Sequence, residues 1–183
     1  MGKAIQAPLE DLEDGRVRYH RFRYHCAAGF LEKEDVVLDC GSGTGYGSEI
    51  LFSRAKKVIG IEKGKQEVIS SRKRFGDKVE FIEADLEKMK LPECDVLVAI
   101  EVIEHLNDYS CFIKEAKKEA KRLIIISVPL GETMSEDPSH KHDFLNTIEV
   151  QELFNDNNWL EFYEARIGRS LFIVFLRKVR YGL

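Results

Sequence analysis

Residues 36–47 read Val-Val-Leu-Asp-Cys-Gly-Ser-Gly-Thr-Gly-Tyr-Gly, an apolar run that ends in an acid and turns into closely spaced glycines. Such a run predicts a buried strand, and the glycines predict a loop whose backbone takes positive φ and lets a ligand touch the main chain. The helix expected next points its free N–H groups toward that ligand. A nucleotide-like molecule is the natural occupant.

The spacing narrows the choice. Gly41, Gly43 and Gly45 follow Gly-x-Gly-x-Gly, whereas a dinucleotide fingerprint needs Gly-x-Gly-x-x-Gly, and Tyr46 stands where its third glycine belongs. That weakens the pyrophosphate reading and speaks against a nicotinamide oxidoreductase. Glu62 closes the next apolar run, Val58-Ile-Gly-Ile61, about twenty residues after the first glycine. At that offset a carboxylate can accept both hydroxyls of a ribose. The pattern favours an adenosine ligand and leaves its tail open.

Along the chain, apolar strands alternate with amphipathic stretches. Strands are expected at about 36–40, 57–61, 79–83, 95–100 and 122–128, nearly continuous apolar runs of the kind parallel strands show when both faces are covered. Helices are expected over 16–31, 47–54, 65–75, 108–121 and 147–157, the fourth through Phe112, Ile113, Ala116 and Ala120 with lysines outside. Trp159 to Ile167 and Leu171 to Lys178 are two β-rich stretches joined by Gly168-Arg-Ser170, a hairpin signal. The long stretch from Pro129 to Phe144 carries no pattern, and a loop of that length in a compact domain is usually functional or mobile.

These residues together resemble the class I S-adenosylmethionine-dependent methyltransferases, in particular their ubiquinone-biosynthesis-like subgroup. The acid, one residue and Gly-x-Gly-x-Gly of Asp39 to Gly45 are similar to that family's glycine loop. Glu62 falls at its ribose-binding acid, Ala84-Asp85-Leu86 at its adenine-contacting segment, and Ile100-Glu-Val-Ile-Glu-His-Leu106 at the motif after strand four. The resemblance implies a Rossmann-like, doubly wound, seven-stranded sheet, mostly parallel and closed by a C-terminal antiparallel hairpin. It spans residues 1–183 as a single domain, with 1–34 as an N-terminal cover segment. It implies S-adenosyl-L-methionine as cofactor, S-adenosyl-L-homocysteine as product, and Asp39, Gly41, Gly43, Gly45, Tyr46, Glu62, Asp85, Leu86 and Glu101 as the residues around them.

Composition agrees with one soluble domain: 183 residues, 44% hydrophobic and 33% charged. No apolar run reaches the roughly 20 residues that cross a bilayer, and no long apolar core opens the chain, so a cytoplasmic protein without membrane contact is expected. Cys26, Cys40, Cys94 and Cys111 lack metal-site spacing and read as small buried thiols in a reducing compartment. A net charge of −4 provides no bulk attraction to nucleic acid.

The chemistry should lie at the carboxyl ends of the strands. Glu104, His105, His140 and His142 are the candidate catalytic residues, because an imidazole near neutral pH can take the proton of a hydroxyl acceptor. A carboxylate acceptor needs no base, since a sulfonium methyl is already activated. The favoured reading is transfer to a small-molecule hydroxyl or carboxyl oxygen with no metal.

Three alternatives stand beside it. Glu101, Glu104, His105 and a loop histidine mix hard oxygen and borderline nitrogen donors, which suits Mg²⁺, Mn²⁺ or Fe²⁺. Small-RNA 3′-terminal 2′-O-methyltransferases are similar there. A protein that binds S-adenosylmethionine without catalysis is the third. The helix Arg16-Val-Arg-Tyr-His-Arg-Phe-Arg-Tyr-His25 interleaves basic and aromatic residues but reads best as a cover helix with Val17, Phe22 and Phe30 buried and its arginines solvated. After strand four there is no Asn/Asp-Pro-Pro-aromatic string, as adenine- or glutamine-amine enzymes carry, and no Pro-Cys nucleophile.

Overall fold

The computed structural model describes residues 15–131 and 137–178. Residues 1–14 of the expected cover segment and 132–136 of the long loop lie outside the described residues. Seven strands form one sheet: β1 (Val36–Cys40), β2 (Lys57–Glu62), β3 (Glu80–Glu83), β4 (Cys94–Ile100), β5 (Ala120–Pro129), β6 (Trp159–Ile167) and β7 (Ser170–Arg177), in spatial order β3-β2-β1-β4-β5-β7-β6. β1 to β5 run parallel, and β7 lies antiparallel between β5 and β6. The connection reverses direction between β1 and β4, which opens a crevice above their carboxyl ends.

Among the described residues, five helices cover the sheet: α1 (Gly15–Gly29), α2 (Tyr46–Phe52), α3 (Lys65–Phe75), α4 (Ser110–Glu119) and α5 (Thr147–Phe154). Val96, Val98 and Ile100 of β4 pack with Tyr24, Leu51, Val68 and Phe75 on the α1–α3 side. Leu97 and Ala99 pack with Phe112, Ala116, Val150 and Phe154 on the other. Both faces of each central strand are thus removed from water, which is why those strands read as unbroken apolar runs rather than alternating ones.

The expected elements form with ends displaced by up to three residues, and two of these ends have a plain cause. α4 stops at Glu119 because Ala120, inside the apolar helical spacing, already pairs with Cys94 as the first residue of β5. α5 stops at Phe154, and Asn155 and Asp156 instead accept hydrogen bonds from the N–H groups of Glu161, Asn158 and Trp159. Ile167 pairs with Ser170, so the hairpin turn has two central residues. Gly168 takes φ 66°, and the pairing of a positive-φ glycine first with an ordinary residue second matches the strand twist.

α1 departs from the expected cover helix. Val17 is buried, but Phe22 is 54% exposed and Arg23 is buried. The stripe that faces the body runs through Val17, Tyr24, Ala27 and Ala28, and Arg23 shares its edge. Cys111 is also exposed, unlike Cys40 and Cys94. Tyr24 lies where Gly47 of α2 has no side chain: a Cβ on Gly47 would sit 2.2 to 2.5 Å from three atoms of that ring. Gly47→Ala is therefore expected to destabilise the fold by about 1–3 kcal/mol through overpacking, outweighing the roughly 1 kcal/mol by which alanine is the better helix former. Urea unfolding checks this, and an unchanged midpoint would mean that α1 does not rest on Gly47.

Candidate active site

The crevice above β1 and β4 is a continuous cavity of about 870 Å³. One end is lined by Gly41, Gly43, Glu62, Asp85 and Leu86; the other by Glu101, Glu104, His105 and His140 with Gly168, Arg169 and Ser170 of the hairpin. Tyr19, His20, Arg23 and Tyr24 of α1 form its cover. The volume is near the upper end of the range for small-molecule sites, so there is room for two ligands end to end.

The glycine loop is built by backbone bonds to the neighbouring strand. Gly41 and Ser42 donate their N–H groups to the Ile61 carbonyl at 2.8 and 3.0 Å, and Gly41, Gly43 and Gly45 all take positive φ. A Cβ on Gly43 would meet nothing within 4 Å: that position opens into the cavity. The hydroxyls of Ser42 and Thr44 are buried without a hydrogen-bond partner among the described residues. A cradle with an open glycine and unmet hydroxyls fits a bound polar ligand.

Glu62 spans the mouth of this loop. One carboxylate oxygen accepts from Gly43 N at 3.0 Å and the other from Gly64 N at 2.7 Å. Each oxygen keeps a lone pair, so a vicinal diol in the cavity has two acceptors fixed in place. Asp85 is held by Lys63 at 2.9 Å and by the Glu87 N–H, and the Lys63 hydrogen bond keeps its carboxyl below the usual range. Leu86 adds a buried apolar contact beside it.

Asp39, Gly45 and His142 stand outside the cavity lining. Asp39 is 0% exposed beneath the loop, where it accepts from Tyr24 Oη at 3.0 Å and Ser48 Oγ at 2.5 Å. Burial pushes its carboxyl up to about 7 against the pull of those two hydroxyls. Gly45 caps α2, and a Cβ there would strike Ser71 and Phe81. His142 stacks edge-on against Tyr109. Tyr46 does line the cavity and shares a 2.6 Å hydrogen bond with His20 Nδ1. Desolvation, then the Arg23 charge, lowers His20 to about 3, and desolvation raises Tyr46 to about 12, so this pair stays uncharged at neutral pH.

The strand-four cluster converges. Glu104 is 1% exposed on a single 3-10 turn (Ile103–His105), and its carbonyl accepts from the N–H groups of Lys141 and His142, which draws the long loop back over the site. The rings of His105 and His140 lie 5.0 Å apart, and donor atoms of Glu104, His105 and His140 all fall within 4.8 Å of one another. His105 is exposed to the cavity, and partial desolvation by its surroundings lowers its imidazole from the ordinary value, which favours the neutral form at pH 7. Its Nδ1 lies 3.3 Å from the Ser139 carbonyl, an acceptor only; a proton on Nδ1 leaves the Nε2 lone pair as the basic site.

Glu101 lies apart from that trio. It adopts φ 56°, the only positive φ at a non-glycine among the described residues, a conformation that costs about 1–3 kcal/mol. Its carboxylate accepts from Ser127 Oγ at 2.7 Å and Ser170 Oγ at 3.0 Å and lies 3.5 Å from Arg23. Those bonds from three elements hold the strained residue. His20, Arg23, Ser127 and Ser170 were not among the sequence candidates; the position of His20 and Arg23 beside the stripe of Val17, Tyr24 and Ala27 was the available signal, and the two serines had none.

A family model described as "Methyltransferase domain" matches residues 38–123. A probable S-adenosylmethionine-dependent methyltransferase of Mycobacterium tuberculosis is 30% identical over 164 residues, 84% of this chain and 59% of that protein. A ubiquinone biosynthesis O-methyltransferase of Pelagibacter ubique is 32% identical over 125 residues, 63% of this chain and 52% of that one. The chain thus spans between half and three fifths of the length of these curated relatives. Magnesium protoporphyrin IX methyltransferase of Synechocystis, solved with bound S-adenosylmethionine, shares the fold: TM-score 0.70 at 17% identity, covering 94% of this chain and 86% of that one. No helix among the described residues is long and apolar enough to cross a membrane.

Proposed function

We propose that this chain, which belongs to the class I S-adenosylmethionine-dependent methyltransferases, transfers a methyl group to an oxygen of a small molecule. The observation that carries this reading is the single cavity, with the diol-accepting Glu62 at one end and the neutral His105 at the other. S-adenosyl-L-methionine supplies an activated sulfonium methyl when bound. The chain's own residues do the rest. Glu62 and the glycine loop fix the ribose end, Asp85 and Leu86 border the base, and α1 roofs the space and excludes water. His105 takes the proton of a hydroxyl acceptor at Nε2, and a carboxylate acceptor would leave it idle. The ubiquinone relative, an O-methyltransferase by name, supports oxygen as the acceptor atom.

The Glu104, His105 and His140 cluster supports a second reading, a divalent ion that polarises the acceptor oxygen. A carboxylate with two imidazoles is a fitting donor set, and His140 is only 6% exposed with no partner for its Nδ1 among the described residues. Such an ion would also suit a ribose hydroxyl of RNA.

Titration calorimetry with S-adenosyl-L-homocysteine and NAD comes first: binding of the former alone is expected. A screen of hydroxyl, carboxyl and RNA 3′-end acceptors follows, with and without chelator. Metal-free turnover whose acid limb falls below pH 6.5, the ordinary imidazole value, is expected for His105 as base, because partial desolvation depresses its pKa and the neutral form persists to lower pH. Turnover abolished by chelator and by Glu104→Gln, and restored by Mg²⁺ or Mn²⁺, would replace the metal-free reading with the second.

A further inference from the structure

Large apolar side chains left in water are concentrated on one side of the molecule. Eight are exposed among the described residues, and five of them, Tyr19, Phe22, Leu160, Phe162 and Tyr163, lie on α1 and on β6, the edge strand of the sheet. Phe30, just past α1, ties the two rows into one strip: its ring lies 6.5 Å from Phe162 and 5.3 Å from Tyr163. At the other end Tyr19 lies over Gly168 of the turn that ends β6, where a Cβ would meet its ring at 3.2 Å. The strip runs roughly 16 Å along α1. Scattered apolar residues on a surface need no explanation, whereas a contiguous strip marks a contact surface.

The edge strand is bulged to build it. The register of β6 on β7 shifts between Glu161 and Tyr163, which leaves Phe162 without a partner on β7. Leu160 stands opposite Leu176 and Tyr163 opposite Val174, both on the α1 side of the sheet. In an unbroken strand residues 160 and 163 would point to opposite faces; the bulge puts them on one, and Phe162 joins them against Phe30. The size of the strip points to its occupant. Aromatic side chains bury about 150–250 Å² each, so four rings that are 44% to 58% exposed leave on the order of 400 Å² in water. A stable contact between folded proteins takes roughly 800 Å² from each, about 60% of it apolar, or about 500 Å². With Leu160 added, the strip is of that size. No second strip like it stands among the described residues, where the other exposed apolar residues are Ile69, Leu145 and Ile148. A head-to-tail contact needs two different surfaces, whereas a twofold contact uses one patch on both copies.

We propose that two copies of this chain associate across a twofold axis through the α1–β6 strip. Tyr19 lines the cavity as well as the strip, so the second copy stands at the cavity's rim, and the association requires no ligand within it.

Sedimentation equilibrium of the full chain at micromolar concentrations should give twice the chain mass. Phe22→Asp and Phe162→Asp, on the two rows of the strip, should each raise the dissociation constant at least about thirtyfold, the scale of one interface hot spot, since a twofold contact carries each change twice. Circular dichroism checks the fold. Should Phe162→Asp unfold through the loss of its ring contact with Phe30, Phe22→Asp carries the test alone. Ile69→Asp, exposed on α3, should leave the dimer intact. A parent chain that is monomeric throughout overturns the proposal. A dimer that survives Phe22→Asp, or that dissociates equally in Ile69→Asp, overturns it by placing the contact elsewhere. A monomer that sediments with phosphatidylglycerol vesicles, and no longer does so in Phe22→Asp, overturns it by giving the strip to a lipid surface.

Discussion

Gly43→Val should lower affinity for S-adenosyl-L-homocysteine by at least about a hundredfold while the sheet stays folded. Two effects add. At φ 51° a β-branched residue carries backbone strain of about 1–3 kcal/mol, and its side chain would stand in the open space into which the position faces. Relief of that strain would move the Gly43 N–H off Glu62, loosening the acid that the proposed function sets against the ribose. Gly43→Ala separates the terms, because it keeps most of the strain and adds only a methyl. It should fall between the parent chain and the valine variant. Calorimetry reads the affinity and circular dichroism the fold; a Gly43→Val chain that binds normally would mean that the ligand does not lie against the loop.

Glu62→Ala should weaken binding by about 1.5–3 kcal/mol, roughly 10- to 150-fold, by removing charge-assisted acceptors for the ribose hydroxyls. The structure adds a second consequence. The carboxylate also receives the N–H groups of Gly43 and Gly64, so its loss leaves two donors at the loop without their acceptor. Glu62→Gln is not a gentle control, since its amide nitrogen would face one of those donors with another donor. It should lose most of the affinity that the alanine variant loses. A folded Glu62→Ala chain with parental affinity would remove the ribose assignment.

The strands and their order of appearance were legible because burial on both faces leaves a mark that a single sequence carries: nothing but apolar residues from Val96 to Ile100. The glycine loop was legible because positive φ at three positions leaves few residue types able to occupy them. The boundary at Ala120 was not, because alanine satisfies a helical stripe and a strand pair equally, and the β4 partner Cys94 that decides between them is 26 residues away. Arg23 was hidden for a related reason. Among four arginines interleaved with aromatic residues, nothing in residue type marks Arg23; its partner Glu101 is brought to it by a turn with positive φ at a residue whose type does not announce it. Asp39 was legible as part of the loop but not as a residue beneath it, since its neighbours Tyr24 and Ser48 come from two different helices.

The ring of Tyr24, seated on Gly47 with its hydroxyl on Asp39, has a thermodynamic corollary. Tyr24 belongs to the roof, whereas Gly47 and Asp39 belong to the stem of the glycine loop. The helix can lift only by uncovering a buried carboxyl and emptying the space above Gly47, and a ligand held between roof and loop resists the same motion. By reciprocity, the free energy with which ligand binding holds α1 down equals the free energy with which a docked α1 tightens the ligand. Amide exchange along α1 and ligand affinity in the cavity are then two measures of a single opening equilibrium.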